Sequence, residues 1–356
     1  MIAYPKRVFE GLGKVDISPQ LMKLLDAETI LEVFKTKPRI RFNKRGELIP
    51  HEFDKGIYLI DAKGVRGSVK GLNENDEDLL VSNFWALLLG TLREYNAGDV
   101  ISTDGTIYVL RSAGDATYGA AYLTYGIGTD PEYFTQIALA SYKGSISTTI
   151  SISYMSDRNR VSLSGTLPDV AYELGVYQVL YDTSAATRTT MLGRRTGSWS
   201  KGQSVIWNID FLQPWVRAVA DMLYGILLNA NATMVDVTGA SFTSRSSGDV
   251  NASSVWLVIS PDTVTWSPSL TSIPNKVDLT TYYSDFLISR VARTTFIYGT
   301  FTPPSDTQYN TIGLYQNIYD SGGGIHTCCM MVIPLSAPIT FYANRNNLAI
   351  LRIIVM

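Results

Sequence analysis

The chain has 356 residues, of which 46% are apolar and only 17% charged, with a net charge of −2. That length and apolar content suffice for more than one sizeable core and exclude wholesale disorder. No basic run stands out, so there is no electrostatic case for binding nucleic acid.

Charge is unevenly distributed: residues 1–100 hold 15 of the 30 Lys and Arg and 15 of the 32 Asp and Glu. Beyond them the chain is lightly charged and rich in Tyr, Thr, Ser and Gly, the composition of turn-rich β folds. The two cysteines, Cys328 and Cys329, are adjacent and cannot staple a loop, so no disulfide framework is expected. Met1–Gly13 is polar and basic with no apolar signal region, and no apolar run reaches 18 residues. The expectation is a protein made as a soluble cytosolic chain, without a signal peptide and without a membrane span.

Residues 1–79 read as a small α+β segment. Short helices are expected over Ser18–Leu25 and Asp26–Lys37, the latter with acids early and lysines late as the helix dipole favours. A hairpin turning at Lys44-Arg45-Gly46 follows. Asp76-Glu77-Asp78 then precedes a helix and suits its positive N-terminus better than it suits acid/base catalysis. That helix, Ser82–Tyr95, has Ser82 or Asn83 as a natural cap. Thr106–Ser112, Ile146–Met155, Gly175–Tyr181 and Ser204–Phe211 then alternate or run β-branched, as strands do. A second helix, Gln213–Leu228, has Pro214 at a first helical position and is followed by more strands. The last of these, Leu348–Met356, is expected to be a buried central strand matching Ser204–Phe211.

The chain resembles itself at a spacing near 134 residues. Arg111–Asp115 (RSAGD) recurs as Arg245–Asp249 (RSSGD), Gly105 matches Gly239, Leu123 matches Leu257, and Gly165-Thr166 matches Gly299-Thr300. Leu174–Thr183 (LGVYQVLYDT) recurs as Ile312–Ser321 (IGLYQNIYDS) at an offset of 138, after an insertion in the Pro303-Pro304 loop. Trp85 and Trp215 are read as corresponding residues near the two helix starts. Gly175 and Gly313 are read as marking a bulge or a close backbone approach. The fold expected is mainly β: two tandem β-sandwich modules of jelly-roll or Ig-like type, each preceded by an α-helix. Module one covers 80–211 and module two 212–356, behind the segment 1–79.

Little chemistry is legible. The only histidines are His51 and His326; His326 lies three residues before Cys329, but no HExxH, CxxC or GxSxG pattern is present. Gly126–Pro131 (GIGTDP) lacks the context of a phosphate-binding loop and reads as a turn. Asp115 and Asp249 invite calcium but are better read as turn formers. Tyr118, Tyr122, Tyr125, Tyr133 and Tyr142 invite sugar stacking but are better read as strand packing. Asn231 and Asn251 begin glycosylation sequons, relevant only in a glycosylating cell. No catalytic, cofactor-binding or metal-binding residues are assigned, and the chain is expected not to be an enzyme.

The stretches Gly126–Pro131, Thr135–Gly144, Glu173–Arg195 and Val205–Phe211 together resemble modules of virion structural proteins. Such modules occur in tail, collar, fibre and decoration (capsid-associated) proteins of tailed phages and archaeal viruses. A glutamate-led E-x-G strand is typical; Glu173-Leu174-Gly175-Val176-Tyr177 fits it, whereas Thr311-Ile312-Gly313-Leu314-Tyr315 lacks the acid. The resemblance covers 80–356 and implies a virion component that partners copies of itself and other virion proteins. The alternative is an attachment protein that binds a receptor or a host-surface glycan. A carbohydrate-active enzyme is disfavoured by the scarcity of Asp and Glu after residue 100, and a surface-layer or pilus protein by the lack of an export signal.

Overall fold

A computed structural model describes residues 51–54, 56–70, 80–283 and 294–354. The helices expected over 18–37, the hairpin at Lys44-Arg45-Gly46 and the cluster Asp76–Asp78 lie outside these residues. Within them the protein is mainly β with two helices. In chain order the elements are β1 (His51–Asp54), β2 (Ile57–Ala62), β3 (Val65–Val69), α1 (Ser82–Arg93), β4 (Ala97–Ile101), β5 (Ile107–Leu110), β6 (Tyr122–Gly126), β7 (Tyr142–Ile146), β8 (Thr149–Tyr154), β9 (Asn159–Thr166), β10 (Ala171–Tyr181), β11 (Thr187–Trp199) and β12 (Ser204–Phe211). There follow α2 (Arg217–Leu228), β13 (Thr233–Val235), β14 (Ser241–Thr243), β15 (Trp256–Ser260), β16 (Val277–Asp278), β17 (Thr280–Tyr283), β18 (Thr294–Phe301), β19 (Thr307–Tyr319), β20 (Ile325–Phe341) and β21 (Asn347–Ile354).

The sheet order built on residues 80–211 recurs on residues 212–354, with one strand from residues 57–69 completing a sheet in each. One sheet runs β11-β10-β6-β7 and its counterpart β20-β19-β15-β16; the other runs β3-β12-β9-β8 and its counterpart β2-β21-β18-β17, with β1 added outside β2. The hairpins β4–β5 and β13–β14 also correspond. The register of β10 on β11 skips between Val176 and Tyr177, and that of β19 on β20 between Leu314 and Tyr315. Each bulge lies next to the glycine singled out in the sequence. A Cβ on Gly175 would sit 2.8 Å from Thr124 Oγ1, and one on Gly313 would overlap the Ile273 side chain. Both glycines therefore permit a close approach, for which a side chain leaves no room.

Period-2 alternation explains the inner faces. Val205, Trp207, Ile209 and Phe211 of β12 point into the core, as do Ala349, Leu351 and Ile353 of β21. β21 lies between β2 and β18, the interior position expected of the C-terminal strand. Most buried apolar side chains of both halves form one continuous cluster, from Tyr58 through Trp85 and Trp207 to Leu257 and Ile353, with two smaller clusters beside it around Val258 and around Tyr177. Residues 57–69 stitch the halves together: β2 pairs parallel with β21, and β3 pairs antiparallel with β12.

Two details of the helices differ from expectation. Neither helix has a side-chain cap; Val81 and Val216 occupy the N-cap positions in extended conformation. Their amides instead bond the long edge strands, Val81 N to Leu192 O and Val216 N to Met330 O. Pro214 therefore precedes the helix rather than opening it, because Pro214–Trp215 lies along β20. Matching the caps makes Trp215 the counterpart of Leu80, which bridges β11 as Trp215 bridges β20. Trp85 and Trp215 thus do not correspond, although both are buried.

Candidate functional site

The residues repeated in the sequence converge on the seam between the halves. Asp115 forms an antiparallel bridge with Asp249, its own counterpart. A residue facing its counterpart is what an isologous, two-fold contact produces. Burial, aided by Asp249, raises the carboxyl of Glu94 beside this bridge, and burial likewise raises that of Asp115.

Around this point the hydrogen bonds are reciprocal. The last carbonyls of an α-helix have no intrahelical partner and need one elsewhere when buried. Those of α2 find it just before β6 and within β10: Ala121 N donates to Leu227 O at 2.6 Å, and Gln178 Nε2 to Ile226 O at 2.8 Å. Those of α1 find it in the matching residues of the second half. Val255 N donates to Leu92 O at 3.1 Å, and Gln316 Nε2 to Leu92 O at 3.0 Å and Thr91 O at 3.3 Å. Asn251 and Ser254 donate to Thr91 O and Arg93 O. Thr117, the counterpart of Asn251, donates to Asn229 Oδ1 at 2.8 Å. Each helix ends in a left-handed residue, Glu94 or Asn229, whose amide closes back on Gly90 O or Gly225 O. Gly90 and Gly225 lie so close to Ser112 and Ser246 of the RSAGD and RSSGD turns that a Cβ would overlap those serines. The repeated turns and helix ends are thus one joint, built twice.

Asn231 belongs to this joint. Its Oδ1 accepts from Ser247 Oγ at 2.6 Å, as Asn96 Oδ1 accepts from Ala113 N at 3.1 Å. Asn251 is buried. Both sequon asparagines therefore have structural roles.

A buried ion pair fixes the loop between β6 and β7. Glu173 and Arg194 are almost fully buried, with Arg194 Nη2 2.9 Å from Glu173 Oε2. Glu173 accepts the amides of Gly128 (3.0 Å), Ala140 (2.9 Å) and Ser141 (2.6 Å); Arg194 donates to Pro131 O and Gln136 Oε1. Burial opposes ionisation of Glu173, but the amides and the guanidinium outweigh it and hold its pKa below the ordinary value. Gly126–Pro131 is accordingly not a tight turn but the end of β6 and the start of an irregular loop, anchored at Gly128 N and Pro131 O. In the second half Thr311 stands where Glu173 does; its hydroxyl donates to Asp262 O at 2.8 Å and accepts Val264 N at 3.2 Å. The acid missing from the second copy of the motif is thus replaced by a smaller anchor for the same loop.

The five tyrosines do not form one face. Tyr122 and Tyr142 flank the buried Tyr177, each 6.2 Å from its ring, whereas Tyr125 packs against the core on the opposite side of β6. Tyr118 stands edge-on to Tyr181 at 5.7 Å, and Tyr133 is exposed. Cys329 is buried against Val216 and Val258 with its Sγ toward Met331 O, so it does not join His326. No group of three or more His, Cys, Asp or Glu able to hold a metal occurs among the described residues, and no helix among them is long and apolar enough to cross a membrane.

Sequence reading missed Arg194, Gln136 and Asp221. Asp221 of α2 is buried, accepts Tyr154 Oη at 2.6 Å and Arg217 Nε at 3.0 Å, and has its pKa raised to about 6 by burial, which those partners only partly offset. Its counterpart in α1 is Ala86, so the repeat gave no signal for it.

Comparison with protein-family models, with curated proteins and with solved structures found no match to the chain.

Proposed function

We propose that this chain is a non-enzymatic virion structural protein, built from two tandem copies of a helix-plus-β-sandwich module behind an N-terminal docking segment. On this reading it is made in the host cytoplasm and assembles with copies of itself and other virion proteins into a tail, collar, fibre or capsid-associated component. The observation that carries the reading is the seam: the most strongly repeated residues join the modules to each other and do not converge on a cleft. Conservation of an assembly joint within one chain suits a protein whose work is to hold shape.

A difference between the copies supports outward assembly. In the first half Tyr95, Ile107, Val109 and Tyr118 are exposed, Ile107 at 64% and Tyr118 at 60%. Their counterparts in the second half are Ala230, Ser241, Thr243 and Ala252. Exposed apolar side chains kept on one copy only suit a neighbour-facing surface. The test is mass spectrometry of purified particles from infected cells, with Ile107→Ser/Val109→Thr as a variant. The protein should be a stoichiometric particle component, and the folded variant should incorporate less. Absence of the protein from particles would end the proposal.

The attachment reading rests on Tyr142, which is 53% exposed with its ring stacked on Tyr177. Glycan-array binding lost in Tyr142→Ala would favour it.

A further inference from the structure

The turns that follow β10 and β19 are built alike but closed by different cations. In the first, Asp182 Oδ1 accepts the amides of Ser184 and Ala186, both at 2.9 Å, and its Oδ2 lies 3.2 Å from both Nε and Nη2 of Arg188. In the second, Asp320 Oδ1 accepts Gly322 N at 2.7 Å and Gly324 N at 2.8 Å. The counterpart of Arg188, at the offset of 138, is His326. Its Nε2 lies 3.3 Å from Asp320 Oδ2, and its Nδ1 lies 3.1 Å from Oδ2 of Asp236, in the turn of the β13–β14 hairpin. The ring stacks on Phe242 with centroids 4.0 Å apart and planes 4° apart.

Both ring nitrogens thus face carboxylate oxygens whose partner oxygens are already taken by backbone amides. A neutral imidazole has one N–H and one lone pair, so it would turn a lone pair toward one carboxylate. Only the imidazolium donates to both. We propose that His326, as an imidazolium, latches the β13–β14 turn to the β19–β20 turn, and that loss of its proton breaks the latch. The first half has arginine in this place, a permanent cation that closes its own turn on Asp182.

The groups facing the ring from each neighbouring element agree with this assignment. Burial opposes ionisation of Asp236, but the Thr238 hydroxyl, His326 and the amides of Thr238 and Ala240 outweigh it and hold it at about 2. The Gly324 amide, with Gly322 and His326, lowers Asp320 as well. Both carboxylates therefore stay charged across the range of about pH 5 to 8 in which histidine titrates. Burial pushes the Cys328 thiol up, so it stays neutral. Arg245 lies over the Tyr319 ring at 5.2 Å.

The test uses the full chain in two measurements. The first is ¹⁵N NMR of histidine-labelled protein, with the His326 signals assigned by their loss in His326→Gln. At acid pH both ring nitrogens should carry protons, and the transition should be absent from the variant. The second is hydrogen exchange at Thr238, Ala240, Gly322 and Gly324, corrected for intrinsic rates, at pH 5 and pH 8. Protection should fall severalfold between the two in wild type and hold steady in His326→Arg, which installs the cation of the first half. Equal loss of protection in wild type and His326→Arg would overturn the proposal. So would a His326 ring that keeps one unprotonated nitrogen at pH 5.

Discussion

At the scale of single residues, two buried carboxylates show how surroundings decide charge. Asp221 lies against α2 and β8 with two partners, too few to offset its burial, and its pKa is raised from 3.8 to about 6. A carboxyl raised in the folded state binds protons that the unfolded chain has released. Its contribution therefore favours folding at low pH and is lost as pH rises from about 4 through about 6. The change amounts to at most about 3 kcal/mol. Plotted against pH, the stability difference between wild type and Asp221→Asn should slope downward over that interval and flatten above it; a flat difference throughout would show Asp221 to be ordinary. Glu173 is the opposite case, held charged by three amides and Arg194. Removing one member of a buried ion pair strands the other, so Glu173→Ala should cost about 3–5 kcal/mol in denaturant unfolding. The double variant Glu173→Thr/Arg194→Val installs the residues found at Thr311 and Val332. It should recover most of that loss, and failure to recover would mean that the loop needs the charges themselves.

At the scale of elements, the helices depend on what receives their ends. Gln178 and Gln316 each satisfy C-terminal carbonyls of the other half's helix. Leucine at either position removes one donor from carbonyls that keep another, Asn229 N at Ile226 O, Val255 N at Leu92 O and Asn251 at Thr91 O, so each lost hydrogen bond should cost about 0.5–1.5 kcal/mol. The two losses should be similar, since the joints are alike, and a large inequality in measured unfolding free energies would contradict the reciprocity. Gly90 and Gly225 give a sharper test. By helix propensity, Gly→Ala in a helix interior stabilises by about 1 kcal/mol. Here the added methyl meets Ser112 or Ser246, and both substitutions should instead lower Tm. A rise in Tm would show that the serines can move aside.

At the scale of the whole molecule, the buried cluster does not stop at the boundary between the halves. β21 pairs with β2, and the carbonyls ending α1 are met from residues 251–316. A fragment ending at residue 211 should therefore lack cooperative unfolding. Co-expression with residues 212–356 should restore it, as judged by a single calorimetric transition. A fragment 1–211 that unfolds cooperatively alone would show the seam to be dispensable.

What the sequence determined by itself is the local and the repeated. Period-2 alternation in Ser204–Phe211 and Leu348–Ile354 marks strands because one face must be apolar, and both are strands. The offsets of 134 and 138 align Arg111 with Arg245 and Gly175 with Gly313 because equal surroundings require equal residues. Tertiary structure alone decided what those residues meet. Asp115 and Asp249, weighed singly as turn formers, face each other across one antiparallel bridge. The caps looked for at Ser82 and Asn83 are absent because β11 and β20 receive the preceding amides. Of Asp221 the sequence shows only its i,i+4 spacing from Arg217, and Arg194 carries no local pattern. Their roles come from partners 67 and 21 residues away in the chain, and a separation of that kind is set by packing, which no spacing along the sequence encodes.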